Sequence, residues 1–160
     1  MALSMSLLLL VTVPIGEKEA PKHFDNYTRA YRVAQETSQP MLVILNPGED
    51  SDLKPIPLED VQRTSNRRKL LEDYVVVVLD TSTEHGGVCH KLFGSGSLPR
   101  VVVIDKRQKR QIFRTSEPLY GQLWNTILTT YRTGENPIPV FTRQQRPAYY
   151  LQQQASHCST

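Results

Sequence analysis

Apolar and polar positions follow changing periods along this chain, and the periods name its elements. Tyr27, Ala30, Tyr31 and Ala34 recur at i, i+3, i+4 and i+7, one face of a helix with Asp25 or Asn26 as its N-cap. That helix is expected to stop before Pro40. Met41 to Leu45 is an unbroken apolar run of strand length, the pattern of a strand buried on both faces, and Asn46-Pro47-Gly48 ends it with turn chemistry. From Leu58 to Asp73 the chain is charged, with Leu58, Val61, Leu70 and Leu71 as its apolar points. This predicts a helix interrupted near Thr64-Ser65-Asn66. Tyr74 to Leu79 is a second buried strand, β-branched nearly throughout.

Gly86 and Gly87 then precede a short helix carrying Val88, Cys89, Leu92 and Phe93, and Gly94 to Pro99 reads as a loop. Val101 to Ile104 and Gln111 to Phe113 form a hairpin about the Lys106–Arg110 turn. Tyr120, Leu123, Trp124, Ile127, Leu128 and Tyr131 line one face of a final helix, with Gly134 as its stop. Helix-connected strands are expected to pair in parallel, and the hairpin to be antiparallel. The fold class is therefore α/β, a mixed four-stranded sheet with helices on both faces.

The two ends depart from this regularity. Ala2 to Ile15 is apolar and uncharged and stops abruptly at Glu17-Lys18-Glu19. Its length suits the hydrophobic region of a signal peptide and is too short to cross a bilayer. Residues 1–20 are accordingly expected to be a leader, residues 21–134 the domain, and the protein to be exported, periplasmic or secreted. A buried first strand or a disordered leader is the alternative for this stretch. Residues 135–160, rich in Pro and Gln and without an apolar period, read as a flexible tail.

Composition adds mainly exclusions. Nineteen basic against sixteen acidic residues give a net charge of only +3, so the chain as a whole carries no nucleic-acid footprint. Lys106, Arg107, Lys109 and Arg110 crowd the hairpin turn without interleaved aromatics and read as a solvated turn that discourages edge aggregation. Two cysteines, Cys89 and Cys158, cannot build a disulfide-stapled fold or a four-cysteine metal site. No metal and no cofactor is expected. Glu49, Asp50 and Asp52 lack calcium-loop spacing and read as a solvated turn. His85, Cys89, His90, His157 and Cys158 match no ligand spacing. Gly94-Ser95-Gly96 leads into a strand, so it cannot cradle a phosphate at a helix N-terminus. Asn26-Tyr27-Thr28 fits a glycosylation acceptor and is read as helix-start chemistry.

Three stretches together resemble the thioredoxin family. These are Tyr31-x-x-Ala34 leading into Gln39-Pro40-Met41-Leu42-Val43-Ile44, then Tyr74 to Asp80, then Lys91 to Asp105 with Pro99 opening the third strand. The resemblance spans roughly residues 27–134 and implies a three-layer thioredoxin-like sandwich. It implies further that Pro99 stands where the family has a cis-proline. The backbone at Leu98 would then pair with an extended peptide, in a groove shared with the Asn46-Pro47-Gly48 loop. The same position in catalytic members carries Cys-x-x-Cys at a helix N-terminus, where thiolate is stabilised. Here Asn46 to Lys54 contains no cysteine, and a serine hydroxyl cannot form the mixed disulfide that exchange requires. The expected function is thus a redox-inactive domain that binds a protein or extended peptide. The alternative is a thiol-disulfide oxidoreductase using Cys89, alone or with Cys158.

Overall fold

The computed structural model describes residues 23–137. In chain order the elements are β1 (His23–Phe24), α1 (Tyr27–Thr37), β2 (Met41–Asn46), α2 (Leu58–Val61) and α3 (Ser65–Leu71). They continue with β3 (Val75–Asp80), α4 (Glu84–Leu92), β4 (Arg100–Ile104), β5 (Gln111–Thr115) and α5 (Gly121–Thr130). The sheet has five strands in the order β1-β3-β2-β4-β5. Four were expected; the addition is β1, whose two residues pair in parallel with Val76 and Val77. So short a strand has no readable period.

Every residue of β2 is buried, as its unbroken apolar run demands of the central strand. Its side chains alternate between two cores. Met41, Val43 and Leu45 join Val75, Val77 and Leu79 beneath α1 and α4, where Ala30, Ala34, Cys89 and Phe93 close the layer. Leu42 and Ile44 join Val76, Val101 and Val103 beneath α2, α3 and α5, where Val61, Leu71, Trp124, Ile127 and Leu128 do the same. The result is a three-layer sandwich with one core on each side of the sheet.

Local signals set the helix ends. Asn26, and not Asp25, caps α1 by accepting the Arg29 N–H at 3.0 Å. The charged stretch does break, with Thr64 capping α3. Gly86 and Gly87 lie inside α4, whose cap is Thr83, instead of preceding it. Gly86 is there for proximity: a Cβ on it would stand 1.9 Å from the Asp80 carbonyl oxygen.

One pairing differs from the helix-crossover expectation. β2 and β3 are parallel, but β4 runs antiparallel to β2. The register gives the reason. Asp80, which ends β3, pairs with Asn46, and Arg100, which opens β4, pairs with Leu45. α4 therefore crosses one end of the sheet without travelling back along it, and the next strand must enter reversed. That crossing delivers the Gly94–Pro99 loop beside the C-terminal end of β2, where the candidate site forms.

Candidate functional site

Three loops meet beyond the C-terminal end of β2, and each is pinned by a buried polar side chain. The first is the segment after β2. Asn46 is 8% exposed, and its amide donates from Nδ2 to the Ile56 carbonyl at 2.9 Å and accepts the Ile56 N–H on Oδ1 at 2.8 Å. This two-bond bracket imitates a strand pair and closes residues 47–55 into a loop. Within it, Ser51 N–H donates to the Gly48 carbonyl, while Glu49, Asp50 and Asp52 point to solvent. Both ends of the Asn46 amide are thus tied to Ile56.

The second is the loop ahead of β4. The Leu98–Pro99 peptide bond is cis. Arg100, 6% exposed, supports it from beneath, donating from Nη1 to the Phe93 carbonyl at 2.9 Å and from Nε to Ser116 Oγ at 3.4 Å. Ser116 Oγ donates in turn to the Ser97 carbonyl at 2.8 Å. Gly96 makes room for the guanidinium, since a Cβ there would fall 1.4 Å from Arg100 Nη2. Leu98 itself makes no backbone hydrogen bond among the described residues.

The third is the turn into α5, held by Arg67 of α3. Arg67 is 5% exposed and donates to the Asp60 carbonyl at 2.8 Å, the Gly121 carbonyl at 2.9 Å and Asn125 Oδ1 at 3.2 Å. Between these supports lies a cavity of about 560 Å³. Leu53, Ile56, Leu98, Pro99, Leu119, Tyr120 and Trp124 supply its apolar walls, and Lys54, Asp60, Arg63 and Arg67 its charges. That volume falls within the range of small-molecule and side-chain pockets. A second cavity, of about 440 Å³, adjoins it and contains Asn46, Pro47, Gly48, Glu49 and Asp80. Leu53 and Pro55 belong to both and form the ridge between them.

The residues expected in one groove are thus divided. Leu98 and Pro99 face the larger cavity, and Asn46, Pro47 and Gly48 the smaller. The walls contributed by residues 53–56 and 116–121, and the Arg67 and Arg100 supports, escaped the sequence reading. Apart from Tyr120, which opens the α5 stripe, the wall segments offered only prolines and isolated apolar residues without period, and the two arginines carried no sign of burial.

Cys89 lies elsewhere. It is 3% exposed in the core beneath α1 and α4, and among the described residues its thiol is free. Burial pushes its pKa up from the ordinary thiol value. His85 Nε2 approaches its sulfur at 3.8 Å but accepts the Tyr27 backbone N–H at 3.0 Å. Tyr27, packed edge-on to Phe93 at 5.6 Å, has its phenol pushed up to about 12 by burial, with Tyr31 and Cys89 adding to it. His157 and Cys158, and with them the Cys89–Cys158 pairing, lie outside the described residues, as do residues 1–22 and 138–160. Among the described residues no three of His, Cys, Asp and Glu converge as metal ligands, and no helix is long and apolar enough to cross a membrane.

No family model and no curated protein matches the sequence. Solved structures do. The chain is similar to a thioredoxin from Thermus thermophilus determined in solution, with a TM-score of 0.54 and 13% identity over 81% of this chain and 98% of that one. It is similar also to a DsbH oxidoreductase, with a TM-score of 0.51 and 17% identity over 81% of this chain and 94% of that one. At such identities the likeness shows the fold alone. That fold is thioredoxin-like.

Proposed function

We propose that this thioredoxin-like domain binds an extended protein or peptide segment along Leu98–Pro99, holding it without dithiol exchange. The observation that carries the reading is Leu98. Its amide and carbonyl are unpaired among the described residues, and it forms the wall of an apolar cavity large enough for a side chain. An extended segment would complete those backbone bonds and place alternate side chains in and out of the cavity. Among the described residues nothing at the mouth can attack a disulfide. The Asn46–Lys54 loop has no sulfur, and Cys89 is buried in the other core with its thiol held protonated. Export remains part of the proposal, on the strength of the Ala2–Ile15 run.

Trp124 is the chain's single tryptophan and lines the cavity, so it reports occupancy directly. Titrating the full chain with tryptophan-free extended peptides is expected to change its fluorescence saturably. Tyr120→Asp, which puts a charge at the cavity mouth, is expected to weaken that response. In parallel, insulin reduction by dithiothreitol is expected to proceed no faster with the protein than without it. A thiol-dependent rate that disappears in Cys89→Ser would overturn the reading in favour of an oxidoreductase.

A further inference from the structure

We infer that the larger cavity selects an acidic–apolar peptide, one whose anchoring aliphatic or aromatic side chain is flanked by carboxylates; the inference rests on the peptide-binding reading above. The cavity's floor, with Ile56, Leu98, Leu119 and Trp124, accepts any apolar side chain and discriminates little. Discrimination comes from the charges around it. Lys54, Arg63 and Arg67 face it against the single carboxylate of Asp60.

Arg67 matters most, because its three hydrogen bonds all go to neutral acceptors, the carbonyls of Asp60 and Gly121 and the amide of Asn125. Among the described residues its charge is hydrogen-bonded but not neutralised. At 5% exposure it lies in low dielectric, where its field reaches into the cavity with little screening. Lys54 and Arg63 are exposed at the mouth, free to meet a carboxylate in water.

The neighbouring cavity has the opposite character. Its charged members are Glu49 and Asp80, with no cation among its lining residues. An anionic segment is therefore drawn to one side of the Leu53–Pro55 ridge and repelled from the other, which fixes where its carboxylates lie. Residues 138–160 of this chain carry Arg143 and Arg146 and no Asp or Glu, so they offer the wrong charge for self-occupancy.

The test uses the full chain, Trp124 fluorescence and three synthetic peptides with a common Leu-Leu centre and flanks of Glu, Gln or Lys. The Glu peptide is expected to bind roughly three- to tenfold more tightly than the Gln peptide, with the Lys peptide weakest. The spread is expected to narrow as salt rises. Arg63→Gln combined with Lys54→Gln is expected to compress the ordering, with an unchanged thermal midpoint showing that the fold survives. Equal affinity for all three peptides, or preference for Lys flanks, overturns the acidic selectivity and leaves peptide binding standing. Silence of Trp124 toward every peptide overturns both. Tighter binding of a synthetic 138–160 peptide, or a concentration-dependent dimer that excludes all three, assigns the cavity to self-contacts and overturns the inference.

Discussion

The two faces of the sheet solve the same packing problem in opposite ways. Beneath α1 and α4 the small residues Ala30, Ala34 and Gly86 bring the helices close to the strands, while Cys89 and Phe93 fill the layer and Tyr27 and Tyr31 pack at its margin. That face is sealed, and it contains the described thiol. Beneath α2, α3 and α5 the layer is held off by polar struts, Arg67 and the Asn46 bracket, and a cavity persists beside Leu98. That face is open, and among the described residues it offers a ligand no sulfur. Thiol exchange needs a nucleophile and access in one place, and the described thiol, Cys89, is buried in the α1/α4 core and is not among the cavity's lining residues.

The largest expected effect tests the seal. Gly86→Val drives a branched side chain into the Asp80 backbone, which no rotamer change relieves, and is expected to cost roughly 3–5 kcal/mol in urea denaturation. A loss under about 1 kcal/mol would mean that α4 floats and that the α1/α4 face is not closed. The open face is probed next by Arg67→Leu. It strands the carbonyls of Asp60 and Gly121 and the Asn125 amide, and is expected to cost roughly 2–4 kcal/mol. Hydrogen exchange is expected to rise in α3 and the first turn of α5, while β3 keeps its protection. Uniform loss of protection over both faces would show that the strut stabilises the whole sandwich and not one side of it. Asn46→Ala comes third, at roughly 1–3 kcal/mol, because it breaks two bonds to one residue at the loop's far end. Its diagnostic is the Ile56 amide, which is expected to exchange freely in the variant.

How much of this the sequence disclosed divides along the same line. The strands were legible because burial on both sides writes an uninterrupted apolar run, as in Met41–Leu45 and Tyr74–Leu79. α5 was legible in its buried Trp124, Ile127 and Leu128, but Tyr120 at 72% and Leu123 at 50% exposure belong to the same apolar stripe and face outward. Periodicity locates a helix face without saying how far its packing extends. The open face was nearly illegible. Arg67 sits in an Arg-Arg-Lys run that reads as solvated surface, and only the fold brings Asp60, Gly121 and Asn125 around it. The Gly86-Gly87 pair misled because glycine normally punctuates a helix, whereas here close approach to Asp80 outweighs the helix penalty of about 1 kcal/mol. Leu98 and Pro99 entered as candidates through family resemblance alone, and no period marks them.

The smallest expected effect falls on Asp80, where the two faces meet. Its carbonyl oxygen sets the limit on Gly86, and its residue lines the smaller cavity. Its carboxylate accepts from Ser82, from the hydroxyl at 2.7 Å and the backbone N–H at 2.8 Å, and these bonds hold its pKa below the usual carboxylate range. A carboxyl group with a lower pKa folded than unfolded binds fewer protons in the native state. Its contribution is therefore complete above the unfolded value of about 4 and is lost as pH falls through the folded value. Asp80→Asn removes the charge and keeps an acceptor oxygen. The expected result is that wild type and variant differ slightly at neutral pH and converge as acid protonates Asp80, followed by urea midpoints between about pH 6 and pH 2. Solvent screening keeps the difference small. If the two curves instead stay parallel throughout, charge at this junction is irrelevant, and the sealed and open faces are joined there by backbone geometry alone.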